Sequence, residues 1–318
     1  MQTYTNKTPI MDRLNRIFAA SMLLAASEMT TADPQPENGT VTPWSAAPTD
    51  HPVTLPADLT NKNVRHLDPL ASAALYYELY DNAAKRLSVY NPKTRQTEIY
   101  EFVESINNPQ SGSHFKIIKN PNTRHYVLFA KGMDMPGRDE GAGEWGFLKD
   151  SIQHGQTTKG CLTTQAIDGE KAYLHLLQNP EVTSIEIIGY SIGSISANYL
   201  AAIYGASVTN IADLGIPGTI ARSSSPDDIF NTCSHGTFPP ATGAFKHNMH
   251  SGIKSLKLCR DLMGGLLGDV GKEFGKVIVL GKGPFMGHVP KHYANAVYTY
   301  DPDAPKVETL EAFPQPLF

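Results

Sequence analysis

The segment Gly189-Tyr190-Ser191-Ile192-Gly193 constrains this chain more than any other, because it joins two elements that fit together in few ways. Ahead of it runs the apolar stretch Ile185-Glu186-Ile187-Ile188, and behind it a run in which Ser194, Ala197 and Ala201 are small enough to lie close to a sheet. A strand over 184–189 and a helix over 192–204, ending near Gly205, are the expectation, with a further strand over 208–214. Glycines on both sides of Ser191 leave room for a sharp strand-to-helix turn that lifts the serine above the sheet. Strand, helix, strand in this order is the grammar of a parallel α/β sheet.

The rest of the chain extends that grammar. Leu67, Leu70, Ala74, Leu75 and Leu79 recur near helical spacing, so a helix is expected over 64–87, ending before Asn91-Pro92. Extended stretches over 97–103 and 115–119 follow, then a turn at Pro121-Asn122 and an apolar strand over 126–130. A glycine-rich loop over 131–146 leads to a helix over about 164–177, closed by Asn179-Pro180. Residues 219–250 read as irregular loops. Ile253, Leu256, Leu262, Met263, Leu266, Val270 and Phe274 then recur at helical spacing around Gly264-Gly265. That pattern describes an amphipathic helix, either packed on the core or serving as a lid. A strand over 276–280 and extended pieces over 294–301 and 307–313 complete the chain, and no internal repeat is read. The expected architecture is α/β, with a mostly parallel central sheet, helices on both faces and a possible helical lid within a 219–274 insertion. One folded body over 61–318 is the simplest division.

Composition removes several classes of function. Net charge is −4 with both signs scattered, which leaves no basic stripe for nucleic acid. Cys161, Cys233 and Cys259 are far apart and odd in number, so they form no metal-type cluster and at most one disulfide. There is no His-Glu-x-x-His, and His247 with His250 lacks a third ligand; no Walker or dinucleotide glycine pattern follows a strand. Neither metal nor cofactor is expected. At the N-terminus, Lys7, Arg13 and Arg16 precede an apolar run over 17–26 that resembles a secretory signal peptide. It is too short for a bilayer, which takes roughly 20 apolar residues. A secreted or periplasmic protein with a leader over 1–60 is one expectation. A cytoplasmic protein with an amphipathic first helix is the other.

A serine hydroxyl becomes a nucleophile when a base takes its proton and when it projects to where a planar carbonyl can approach. Ser191 on its glycine-flanked turn meets the second condition, and the order of segments around it resembles the class 3 lipases, the fungal-lipase-like branch of the α/β hydrolases. The resemblance covers roughly residues 70–318. It rests on Ala73-Ala74-Leu75-Tyr76, the strand and loop from Val127 to Met133, Trp145, the segment around Ser191, and Leu214-Gly215-Ile216-Pro217-Gly218. It implies an α/β-hydrolase catalytic domain in which Ser191 attacks the ester carbonyl. The oxyanion would be held by backbone N–H groups of Ile192 and Met133, the latter where the family usually has Ser or Thr.

The resemblance also implies a catalytic histidine. His292 is the first choice, since the family's histidine is followed five and six residues later by a Val or Ile and an aromatic, as Val297 and Tyr298 follow here. His288, in Gly287-His288-Val289-Pro290, is similar to the Gly-His turn of general α/β hydrolases and is the second; His250 is the third. The family's acid position holds Pro284, so Asp213, at the end of the strand after the nucleophile helix, is the expected substitute, with Asp228 beside Pro226 as its rival. The implied activity is hydrolysis of carboxylic esters, with a lipid, phospholipid or small ester as partner, possible contact with a membrane surface, and no transmembrane segment. A thioesterase or acyltransferase using the same residues, or a non-catalytic binding protein on a decayed hydrolase fold, are the alternatives.

Overall fold

A computed structural model describes residues 61–108, 113–132, 164–217, 252–259, 271–272, 275–282 and 289–314. In chain order these form helix α1 (Ala71–Tyr80), strands β1 (Ala84–Asn91), β2 (Gln96–Asn108), β3 (Ser113–Asn120) and β4 (His125–Ala130), helix α2 (Thr164–Gln178), strand β5 (Ser184–Tyr190) and helix α3 (Gly193–Tyr204). Strands β6 (Ser207–Ile211), β7 (Ile216–Pro217), β8 (Ile253–Cys259), β9 (Gly271–Lys272) and β10 (Lys276–Lys282), helix α4 (Pro290–Tyr300) and strand β11 (Lys306–Ala312) follow.

Nine strands make one sheet in the order β10-β8-β6-β5-β4-β3-β2-β1-β11, and β7 pairs with β9 separately. The half from β10 to β4 is parallel. The half from β4 to β11 is antiparallel. The protein is therefore α/β, but its sheet is divided between the two pairings rather than mostly parallel. Antiparallel strands need only tight turns, and this chain supplies the same one twice. In Asn91-Pro92-Lys93-Thr94-Arg95 the Asn91 side chain accepts N–H bonds from Lys93 and Thr94, and Arg95 turns to φ 57°. In Asn120-Pro121-Asn122-Thr123-Arg124 the Asn120 side chain does the same for Asn122 and Thr123, and Arg124 turns to φ 55°.

Alternation along the central strands sorts the core to two faces. Leu128, Ile185, Ile187, Val208 and Ile253 meet Ala172, Tyr173 and Leu176 of α2 and Ala197, Leu200 and Ala201 of α3. Val127, Phe129, Ile188, Ile211 and Leu256 face the other way, toward Leu75, Tyr76 and Leu79 of α1 and Tyr293 and Val297 of α4. Helices thus cover both faces. Helix α3 is buried almost all round, which its alanines and serines permit, and it ends at Gly205 with φ 66°.

Three further expectations differ from the fold. The helix expected over 64–87 stops at Tyr80, and β1 begins at Ala84 after Ala83 turns to φ 48°. Its apparent start at 64 fails because Pro69 breaks the run, and because residues 65–67 give their polar groups to β5, β6 and Gly252 instead. The helix expected from Ile253 is strand β8 over its first seven residues. Being covered on both faces, a central parallel strand carries apolar residues without alternation, and that imitates helical spacing. Residues 260–270 of that expectation lie outside the described residues. The extended piece expected over 294–301 belongs to α4, where Pro290 opens the helix and Tyr293, Ala294 and Val297 form its buried stripe. Among the described residues, no helix is long and apolar enough to cross a membrane.

Candidate active site

Strand β5 ends at Tyr190, helix α3 begins at Gly193, and the two residues between them make the turn. Ser191 sits there at φ 51°, a left-handed conformation that costs an L residue roughly 1–2 kcal/mol. Neighbouring backbone holds it in place. The Ser191 N–H donates to the Ile211 carbonyl at 3.0 Å, and the Ser191 carbonyl accepts from the Ser194 N–H at 2.9 Å. Both flanking glycines are required by space. A Cβ on Gly189 would lie 2.7 Å from Asn210 Oδ1 and 2.8 Å from Ser194 Cα; one on Gly193 would lie 2.5 Å from the Lys131 carbonyl and closer still to that of Ala130. The close approach of Gly193 puts the first turn of α3 directly against the end of β4.

That contact places backbone amides beside Ser191. Ile192 precedes the helix with φ −59° and ψ −30°, so its N–H belongs to the first turn, where helix amides lack intrahelical acceptors. Strand β4 pairs in parallel with β5, with Ala130 opposite Gly189, and runs on to Lys131 and Gly132 beside the turn. Met133, the next residue, lies outside the described residues, as do Trp145, Asp228, His250 and His288. Ser191 itself is 2% exposed.

Asp213 is buried just past the end of β6. Its Oδ1 accepts from Asn198 Nδ2 at 3.0 Å and from the Gly215 N–H at 2.9 Å; its Oδ2 accepts from Ser255 Oγ at 2.6 Å. Asn198 in turn accepts from Asn210 Nδ2 at 2.6 Å, and Ser194 Oγ accepts from the Leu214 N–H at 3.1 Å. The carboxylate therefore ties α3 and the segment after β6 to Ser255 within β8. Among the described residues no histidine hydrogen-bonds to it, so the expected Asp213 to His292 link is not formed. His292 lies in the first turn of α4, its N–H donating to the Val289 carbonyl at 2.9 Å, and its enclosed Nδ1 has no hydrogen-bond partner among the described residues. No hydrogen bond joins His292 to Ser191 either. The ring of its neighbour Tyr293 stands edge-on to that of Tyr190, 6.4 Å between centroids, which brings the start of α4 to the same side of the sheet. No family model matches this chain, and no curated protein matches it.

Two other polar clusters went unread in the sequence. At the opposite rim of the sheet His125 Nδ1 meets Ser184 Oγ at 2.8 Å and its Nε2 lies 3.2 Å from Glu186 Oε2, a Ser-His-Glu series in outline. It is sealed: all three are at most 3% exposed, and Glu186 also accepts the N–H groups of His66 and Leu67 at 2.7 Å each. Arg65 completes this clasp by donating to Thr209 Oγ1 and to the Val208 and Gly252 carbonyls. Burial lowers its pKa, opposed by Glu186. A charged residue inside the apolar run Ile185-Glu186-Ile187 was the available signal. The second cluster adjoins β4. His114 is buried beside Lys131 and Lys116, and burial first, then the two ammonium groups, hold its pKa well below the ordinary histidine value. Its Nε2 lies 2.9 Å from Ser105 Oγ. Among the described residues no group of His, Cys, Asp and Glu forms a metal site.

Proposed function

We propose that this chain is a serine esterase or lipase of α/β-hydrolase type, acting on carboxylic esters of lipids or phospholipids. The observation that carries the reading is the left-handed Ser191 at the junction of β5 and α3, with the first amides of α3 beside it and the end of β4 packed against Gly193. An anion developing on a carbonyl oxygen is stabilised most by amides already fixed in position, and a helix start supplies them. In the proposed cycle Ser191 Oγ attacks the ester carbon while a histidine takes its proton. The N–H groups of Ile192 and Met133 hold the oxyanion. The histidine returns the proton to the departing alcohol, and water then releases the acid by the same steps.

His292 is proposed as the base, supported by the position of α4 against Tyr190 and by an enclosed Nδ1 without a partner among the described residues, the atom an orienting acid would hold. His288, just ahead of α4 in the chain, is the second candidate. The surroundings of Asp213 support an anchoring role rather than that of the acid, because its hydrogen bonds come from Asn198, Gly215 and Ser255. Asp228 is the other candidate acid. The preference for lipid esters, and the assignment to the class 3 lipases, rest on sequence resemblance.

The test is release of fatty acid from phospholipid and triglyceride, and of p-nitrophenol from short and long acyl esters, by the wild type and by Ser191→Ala, His292→Ala, His288→Ala and Asp213→Asn. Loss of activity with Ser191 and with one histidine is expected. Removing the charge of a true orienting acid costs about 10⁴-fold in kcat, as in the serine-protease triad. An anchoring Asp213 costs within about tenfold when replaced by Asn, which keeps one acceptor oxygen and the side-chain shape. A folded wild type that cleaves none of these esters, or a Ser191→Ala variant with undiminished activity, removes the reading in favour of a non-catalytic binding protein.

A further inference from the structure

The direction of the Ile192 N–H is set by the planar peptide that carries it, and the carbonyl of that same peptide belongs to Ser191. Ser194 holds this carbonyl, donating its own N–H to it at 2.9 Å. The Ser194 side chain is engaged as well. It is 0% exposed, and its Oγ accepts the N–H of Leu214 at 3.1 Å, from the segment that follows β6. Leu214 in turn lays its side chain on Ile192 and Ile195, and the three form a small buried apolar cluster of their own. One turn further along α3, Asn198 donates to Asp213 Oδ1 at 3.0 Å and to the Gly215 carbonyl at 3.2 Å, so the residues on both sides of Leu214 are docked on the same helix. Packing asks only for a small residue at position 194, and alanine would serve as it does at Ala197 and Ala201. What the hydroxyl adds is the bond to Leu214.

We propose that Ser194 is a positioning residue for the oxyanion donor at Ile192. Its N–H fixes the peptide that carries the donor, and its hydroxyl docks Leu214 where the leucine side chain packs on Ile192. This rests on the serine-hydrolase reading above. Ser194→Ala keeps the N–H and the small volume but leaves the buried Leu214 N–H without its acceptor, so the segment over 213–215 draws away from the first turn of α3. Ile192 then loses the packing that steadies it, and its amide strays from the direction the developing charge requires. Binding of the uncharged ester draws little on that amide, whereas the transition state depends on it.

The experiment compares wild type, Ser191→Ala, Ser194→Ala, Leu214→Val and Ser207→Ala, each assayed well below its melting temperature. The readouts are hydrolysis of a soluble p-nitrophenyl ester across pH, the rate of covalent labelling by a fluorophosphonate, and inhibition by an aryl trifluoromethyl ketone, whose adduct with a serine carries a negative oxygen. Ser207 serves as the control because it stands at the far end of β6, where its hydroxyl donates to the Asn63 carbonyl at 3.1 Å. Loss of a whole oxyanion donor costs about 10²–10³ in kcat, and a misaimed one costs less. Ser194→Ala is therefore expected to lower kcat, the labelling rate and the affinity for the ketone together by about five- to fiftyfold, with KM within about twofold and an unchanged pH profile. Leu214→Val keeps the N–H and trims the packing on Ile192, and is expected to give the same pattern at about two- to tenfold. Ser207→Ala is expected to lower the melting temperature and leave all three readouts unchanged. If wild type labels at Ser191 and Ser194→Ala labels as fast, or changes only in KM or melting temperature, the role of Ser194 is overturned and the hydrolase reading stands; should Ser194→Ala fail to fold, Leu214→Val decides on the same terms. If wild type neither hydrolyses nor labels, the hydrolase reading itself falls and takes this role with it.

Discussion

Replacing Gly193 by alanine sets two physical effects against each other. Alanine favours helix over glycine by about 1 kcal/mol in a helix interior, so propensity alone predicts a more stable protein. The added Cβ, however, would stand 2.5 Å from the Lys131 carbonyl oxygen, and closer to that of Ala130, where an ordinary carbon to oxygen contact is about 3.3 Å or more. The helix start and the end of β4 must therefore separate by about 1 Å. Neither carbonyl yields cheaply. Ala130 is paired to both Phe115 and Gly189, Lys131 donates its N–H to the His114 carbonyl at 3.0 Å, and its own carbonyl accepts from Gln165 at 3.3 Å. Overpacking of this kind costs about 1–3 kcal/mol, which exceeds the propensity gain over most of its range and lowers Tm by about 2–4 °C for each net kcal/mol. The same displacement parts the Ile192 amide from the end of β4, and on the proposed reading a misplacement of about 1 Å is expected to lower kcat by roughly a hundredfold. Melting curves and ester hydrolysis by Gly193→Ala test both at once. A variant that melts higher than wild type with undiminished kcat would show that α3 and β4 are not in the close contact on which the proposed oxyanion geometry depends.

On the proposed reading Ser191→Gly and Ser191→Ala are both expected to abolish hydrolysis, and the glycine variant is expected to melt higher than the alanine variant by roughly 2–8 °C, because glycine adopts φ 51° without strain; equal melting temperatures would argue against the left-handed turn. His114 makes stability depend on pH. Its pKa is lowered in the folded chain, so as pH falls through about 6.5 the unfolded chain takes up a proton that the folded one refuses, and stability is lost by up to about 1.4 kcal/mol per pH unit. Chemical denaturation between pH 7.5 and 5.5 should show a shallower loss in His114→Gln than in wild type, and parallel profiles would contradict the assignment.

The elements nearest Ser191 were legible because local signals there are strong and agree. An apolar run, two flanking glycines, small residues on the following helix and Gly205 at its end all point to β5, the turn and α3. Legibility falls away where burial is two-sided or propensity conflicts with position. In β8 the spacing of Ile253 and Leu256 imitates a helix; in α4 the β-forming Val297, Tyr298 and Tyr300 outweighed the signal of Pro290. The repeated Asn-Pro-x-Thr-Arg turns were visible as text, but nothing in the text alone tied them to hairpins. The surroundings of Asp213 were not legible at all, since Ser255 lies 42 residues away and comes alongside only through the pairing of β6 with β8.

The pairing of β1 with β11 has a consequence for how the protein is made. Strand β1 finds one neighbour at once in β2, but its other edge waits for a strand that begins at Lys306. At about 5–20 residues per second, on the order of ten to forty seconds of synthesis separate the two. Through that interval the nascent chain offers an unpaired strand edge and the uncovered side chains of Leu87 and Val89 to any other extended peptide nearby. Slowing the ribosome between those two strands is therefore expected to lower the yield of soluble product.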